Sequence, residues 1–313
     1  MDTGDSDVAS RLQLILKHNR LDLLDKSRIA LVMFDSRDSQ NGTYWYAAAQ
    51  WNSAYCNSQG HRFVYYSMHN STCLSSNTSV VLNPVWCKVK AMQRAQQDLG
   101  DKVDFFVYMD SDAVVSQPFA NFSLNDLLVN MTQKLNWNTE ERPFVFNQES
   151  KYSWWCARVL APSRFFYCLN TGTVVWRSSP RATQVLERWW ESALDPYETE
   201  EFTADNKTNI RFEFRTRWPW EQDRAMFLVH ANDTIASYIQ VAPHPHNRQM
   251  DEELVKSDWC LSNCPNRVRC FVAHNYEGGK KTKIMMRDLY TNYSQIYFNV
   301  TSSDRNFDVA FLD

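Results

Sequence analysis

Runs of consecutive apolar residues, rather than alternating ones, mark the first third of the chain. Residues 28–34, after their leading arginine, and residues 105–109 are almost continuously apolar. That is the pattern of strands covered on both faces. Between them the sequence predicts a helix over 44–56, a strand over 63–67 and a long helix over 85–99, which stops at Gly100. Strands alternating with helices imply an α/β fold with a mixed, mostly parallel sheet flanked by helices. The second half is less regular. It predicts a helix over 124–135, a strand over 143–147, an aromatic loop holding Trp154 and Trp155, and a strand over 169–177 entered through Gly172. Helices follow over 180–193 and 221–231, with an acidic, polar loop over 196–205 between them. Leu12, Ile15, Leu16, Leu23 and Leu24 are spaced for an amphipathic helix. Residues 1–27 are therefore expected to be a stem segment packed on the edge of one continuous domain, residues 28–313.

The 105–109 strand ends on Asp110 and Asp112, with only Ser111 between them. Two carboxylates behind a buried strand are costly unless something positive sits between them. A hard divalent cation supplies that partner, taking oxygen ligands from the carboxylates and from a substrate's phosphates. Ligands of open α/β sheets bind beyond the carboxyl ends of the strands, where this pair is expected to lie. The plain alternative is an exposed turn.

Composition narrows the chemistry. A net charge of −3 and a pI near 6.2 give no reason to expect a nucleic-acid partner. Seven glycines leave no Walker or Rossmann phosphate loop. Aromatic residues make up 14% of the chain, which suits either a Trp-rich core or stacking surfaces for sugar and base rings. Nine Asn-x-Ser/Thr sequons begin at Asn41, Asn70, Asn77, Asn121, Asn130, Asn206, Asn232, Asn292 and Asn299. Together with eight cysteines they point to the secretory pathway, the Golgi or ER lumen, with glycans and disulfides. Cys260, Cys264 and Cys270 lack a well-spaced fourth ligand, so disulfide pairing outranks a zinc site for them. A lumenal protein needs a signal peptide or anchor, yet no run of 18 apolar residues occurs. The expectation is a type II membrane protein whose anchor has been removed from this sequence.

Several segments, in order, carry a family resemblance over about residues 28–285. They are Trp86-Cys87-Lys88, Tyr108-Met109-Asp110-Ser111-Asp112-Ala113, and Leu169-Asn170-Thr171-Gly172 with Trp176-Arg177. Trp220-Glu221-Gln222-Asp223-Arg224-Ala225 and Val272-Ala273-His274-Asn275-Tyr276-Glu277-Gly278 complete the series. The chain resembles the GT-A (Rossmann-like) glycosyltransferases, and within them the retaining enzymes of family 34. That family includes fungal α-galactosyltransferases and plant xyloglucan xylosyltransferases. The resemblance implies that Asp110 and Asp112 bind a metal, Mn²⁺ or Mg²⁺, and the diphosphate of a UDP-sugar, with His274 as third protein ligand. It implies that Lys88, Ser111 and Lys280 or Lys281 help hold the nucleotide. The chain departs from the family pattern there, with Glu277-Gly278-Gly279 before the lysines. Glu221 and Gln222 fall where the family places an acid and a glutamine beside the donor sugar. The acceptor is expected to be a glycan or glycoprotein.

Each assignment has a plainer counterpart. His274 can be a hydrogen-bonded core residue, and Lys280 and Lys281 a solvated pair. Glu221 and Asp223 can be first-turn acids that favour the helix dipole. Trp218 and Trp220 suit the core or an acceptor surface, and His244 and His246, beside prolines, suit a rigid loop. The competing functions are an inverting transferase with Glu221 or Asp223 as base, an inactive carbohydrate-binding relative, and a metal-dependent phosphohydrolase. The last lacks a second metal cluster.

Overall fold

The computed structural model describes residues 21, 24–37, 43–68, 73–74, 80–116, 120–148, 169–194, 220–231, 233–243, 259–262, 269–274 and 309–312. Its strands are β1 (Ile29–Asp35), β2 (Arg62–Met68), β3 (Cys73–Leu74), β4 (Val81–Leu82), β5 (Phe105–Asp110), β6 (Ala113–Val115), β7 (Phe144–Gln148), β8 (Leu169–Arg177), β9 (Ile239–Ala242), β10 (Trp259–Ser262), β11 (Arg269–His274) and β12 (Val309–Leu312). Its helices are α1 (Tyr44–Gln59), α2 (Cys87–Leu99), α3 (Leu124–Leu135), α4 (Pro180–Glu191), α5 (Trp220–Ala231) and α6 (Asp233–Ser237).

Seven strands form one sheet in the order β12-β2-β1-β5-β8-β7-β9. All neighbours pair parallel except those of β8, which runs antiparallel to both β5 and β7. This is the mostly parallel α/β sheet that the apolar runs predict. All seven residues of β1 are buried, as a strand covered on both faces must be. β1 continues through α1 to β2 on one side, whereas the chain returns through α2 to β5 on the other. The connection therefore switches direction at the carboxyl ends of β1 and β5, and a crevice opens there. Phe34 pairs with Asp110, so the two strands end almost flush.

The two faces carry separate cores. One gathers Phe106, Tyr108, Val174 and Trp176 of the sheet under α2 and α4, with Trp86 and Trp189 fully buried. The other gathers Leu31, Met33, Val107 and Met109 under α1 and α3, with Trp51 and Trp137. Helix ends follow sequence chemistry. Thr43 caps α1, which stops at Gly60 in a left-handed conformation (φ 77°) that a β-carbon disfavours. Ser123 and Asp126 form a capping box on α3. Of the apolar positions of the expected N-terminal helix, Leu24 packs against the α1-side core, in which Leu21 is also buried, while Leu12, Ile15, Leu16 and Leu23 lie outside the described residues. Among the described residues no helix is long and apolar enough to cross a membrane. Cys73 and Cys87 form a disulfide, as expected of this cysteine content. Cys56 departs from that expectation, being a free thiol buried at the end of α1.

His61 ties three segments together. Its Nε2 accepts from the Leu124 backbone N–H at 3.0 Å, so its proton sits on Nδ1, which donates to the Lys26 carbonyl at 2.9 Å. Burial pushes its pKa below the ordinary 6.5, against the raising effect of the Lys26 bond. A folded-state pKa below the unfolded one means the unfolded chain binds more protons in between. This contribution to stability is complete above about pH 6.5 and is lost as pH falls towards the folded value. Melting at pH 7.5 and 5.5 is the check. His61→Asn is expected to show a smaller acid-induced drop than the wild type, and equal drops would contradict the assignment.

Candidate active site

A cleft of about 330 Å³ opens at the switch point. It is lined by Phe34 and Asp35 at the end of β1, Ser36 and Arg37 just after it, Tyr44 of α1, Val85 just before α2 and Lys88 in its first turn, and Tyr108, Asp110, Ser111 and Asp112 of the β5 end. Asp110, Ser111, Asp112 and Lys88 are thus brought together, as the sequence predicts.

The Asp110–Asp112 turn is fixed from behind. The Asn52 amide, fully buried on α1, donates to the Ala113 carbonyl at 2.9 Å and accepts from the Val115 N–H at 3.0 Å. Trp51 donates its indole N–H to the Val115 carbonyl at 2.8 Å. These bonds peg β6, the strand leaving the turn, onto α1. β6 then pairs antiparallel with β11, and the register sets His274 opposite Ala113, the residue after Asp112. His274 is therefore adjacent in backbone terms to the acidic turn.

Lys88 sits between two carboxylates. Its Nζ lies 2.8 Å from Glu221 Oε1 and 3.2 Å from Asp110 Oδ1, with only 7% of its side chain exposed. Burial alone would push the ammonium pKa down. Asp110 and Glu221 outweigh that, so the net shift is upward and Lys88 is charged. Tyr108 donates its hydroxyl to the same Asp110 Oδ1 at 3.0 Å, and its own pKa is driven well up by burial and by that carboxylate. Both donors engage Oδ1.

Glu221 opens the first turn of α5 and is 4% exposed, behind Lys88 rather than on the cleft wall. Its backbone carbonyl accepts from Trp189 at 2.8 Å, which fixes the start of the helix on α4. Gln222 donates to the Leu169 carbonyl at 2.7 Å, clasping α5 to the entry of β8. There β8 carries a bulge: Phe146 pairs with Val174 but Asn147 with Asn170, leaving residues 171–173 out of the β7 ladder. Asn170 holds the bend through the Gly172 N–H at 2.9 Å, and Thr171 reaches Glu221 and Lys88. The Asp223 side chain, Lys280, Lys281, Trp154, Trp155, Trp218, His244 and His246 lie outside the described residues.

Sequence reasoning passed over Asp35 and Arg37. Asp35 is 3% exposed and receives a bidentate Arg37, Nε at 2.8 Å and a terminal nitrogen at 2.5 Å. Arg37 also donates to Ser111 at 3.3 Å and lies 3.9 Å over the Trp45 ring. The available signal was an acid ending the first buried strand, the other side of the same switch point.

The described residues hold no group of three or more His, Cys, Asp or Glu side chains able to bind a metal. What they offer is two carboxylates at one rim of the cleft, an acceptor-only oxygen set that suits a hard divalent cation with its shell completed from elsewhere.

The sequence pattern of the galactosyl transferase GMA12/MNN10 family matches residues 25–277 of the 313. The fold is similar to that of a glycosyltransferase involved in the glycosylation of the major capsid of PBCV-1, with a TM-score of 0.50 and 13% identity over 83% of this chain and 98% of that one. A weaker likeness is to galactosyltransferase LgtC in complex with donor and acceptor sugar analogs, with a TM-score of 0.41 and 10% identity over 88% of this chain and 99% of the other. No curated protein sequence matches. At 13% identity the likeness to the PBCV-1 capsid enzyme speaks for the fold alone, a GT-A glycosyltransferase sheet, and the family match speaks for the activity. With that match spanning both the acidic turn and the Glu221 helix, the chain belongs to the galactosyl transferase GMA12/MNN10 family, glycosyltransferase family 34, and is a glycosyltransferase.

Proposed function

We propose that the protein transfers a hexose or pentose from a UDP-sugar to a glycan or glycoprotein acceptor, with retention of anomeric configuration, in the lumen of the Golgi or ER. The observation that carries the reading is the cleft at the switch point, walled by Asp110, Ser111 and Asp112. Asp110, Asp112 and His274 are the residues to hold Mn²⁺. A mixed carboxylate and imidazole set suits that ion better than Mg²⁺. When bound, the ion supplies Lewis-acid stabilisation of the departing diphosphate. Lys88 adds a fixed positive charge at the cleft wall, and Lys280 or Lys281 is the further cation proposed for the diphosphate. Arg37 and Asp35 close the far wall and orient Ser111 by the hydrogen bond already described.

Retention is favoured by where Glu221 stands. Its carboxylate is committed to Lys88 and Thr171 and does not line the cleft, a poor position for a base acting on an acceptor hydroxyl. Under retention the departing phosphate oxygen takes the acceptor's proton, and no side-chain base is needed. Residues 28–313 serve as one catalytic domain, a reading supported by β12, which closes the same sheet that β1 begins. The lumenal setting is supported by nine sequons and the Cys73–Cys87 disulfide. The test uses protein secreted from eukaryotic cells, with intact mass read for glycans and free thiols. NMR of the product's anomeric proton is expected to show an α-linked product from an α-linked donor. A β-linked product would reject retention and return the base role to Asp223 or Glu221.

A further inference from the structure

An ammonium has three N–H donors, and Lys88 meets three acceptors: Glu221 Oε1 at 2.8 Å, Asp110 Oδ1 at 3.2 Å and Thr171 Oγ1 at 3.3 Å. The Thr171 hydroxyl donates in turn to the same Glu221 oxygen at 3.0 Å. Of the three acceptors only Asp110 lines the cleft. Glu221 and Thr171 are buried, at 4% and 0% exposure. The arrangement is a tripod with one foot on the acidic turn and two inside the protein.

We infer that Glu221 and Thr171 are positioning residues that set the cleft's affinity for a divalent cation through Lys88, without touching the cation. The inference rests on Asp110 and Asp112 being the cation's ligands. Lys88 and a divalent cation compete for the same carboxylate. While Glu221 shares the ammonium, the hold of Lys88 on Asp110 is divided, and Asp110 keeps negative charge to offer. Counting Asp110, Asp112 and Glu221 against Lys88 leaves a local charge of −2, which one divalent cation balances. Without the Glu221 charge Asp110 is the one anionic partner left to the ammonium among the contacts described, and one anion is lost from beside the site. Both effects weaken cation binding. Thr171 acts on geometry only. Its hydroxyl bridges Lys88 and Glu221, and removing it loosens the sharing with no change in charge.

The experiment is a titration of Mn²⁺ into the full chain with UDP present, reading free Mn²⁺ by electron paramagnetic resonance and the fold by circular dichroism. Glu221→Gln is expected to raise the Mn²⁺ Kd roughly tenfold. Thr171→Val is expected to raise it a few-fold and Thr171→Ser to restore it. A neighbour acting by charge alone would leave Thr171→Val at the wild-type value. If Glu221→Gln does not fold, the Val and Ser pair at Thr171 carries the test. Normal wild-type binding with an unchanged Kd in the folded variants overturns the inference while leaving the cation reading intact. Failure of the wild type itself to bind Mn²⁺ removes the cation reading and the inference with it.

Discussion

Lys88→Met is expected to lower the melting temperature by roughly 5–15 °C, the largest stability effect of any single change in the cleft. Lys88 and Glu221 form an ion pair at 2.8 Å with side-chain exposures of 7% and 5%. Such a pair contributes little when compared with apolar side chains filling the same space. Breaking it is another matter. Removing the cation leaves Glu221 buried and charged, with Thr171 as its remaining hydrogen-bond donor among the contacts described. Loss of one partner from a buried pair costs about 3–5 kcal/mol. The Asp110 contribution is smaller, because 31% of its side chain is exposed and water screens it. The same argument says the loss is reversible by a second change. Lys88→Met combined with Glu221→Met leaves no orphaned charge and is expected to recover much of the stability. A single variant that melts within about 1 °C of the wild type would contradict the buried tripod.

Much of this fold was legible in the sequence because its core strands are buried on both faces. The runs at 28–34 and 105–109 became β1 and β5, and the 85–99 pattern became a short 3-10 turn at Pro84–Trp86 followed by α2. The helix over 180–193 ends as a 3-10 turn at Ser192–Leu194, where Ala193 is buried in the α2-side core and Leu194 packs against it. Strand order was not legible. β12 comes from the far end of the chain to pair with β2, and nothing local in its four residues announces a partner more than 240 positions away. The acidic turn stood out because carboxylates after a buried strand demand an explanation. Asn52 did not, for its role depends on the packing of α1 over β6, and a lone Asn in a helical pattern carries no such signal. Lys88 was picked out as a nucleotide contact. Its burial between Asp110 and Glu221 depends on the β8 bulge and the start of α5, which meet only in the folded chain.

Asp112→Asn carries the largest expected effect on function. The substitution keeps the size and polar shape of the side chain at the cleft rim but removes a charge from a two-carboxylate set. Hard cations depend on that charge, and an amide oxygen is a much weaker ligand. Affinity for UDP in the presence of Mn²⁺ is expected to fall roughly 100-fold or more, beyond what altering an outer-sphere partner typically costs. Stability is expected to change little, within about 2 °C, because the side chain lies at the rim of the cleft and outside both cores.

The most direct measurement is calorimetric titration of UDP into the wild-type chain and Asp112→Asn, each with Mn²⁺ and with chelator. A metal-dependent nucleotide-sugar site at the ends of β1 and β5 requires tight binding in one condition only, wild type with Mn²⁺. UDP binding that is equally tight in chelator, or that survives Asp112→Asn unchanged, would contradict it.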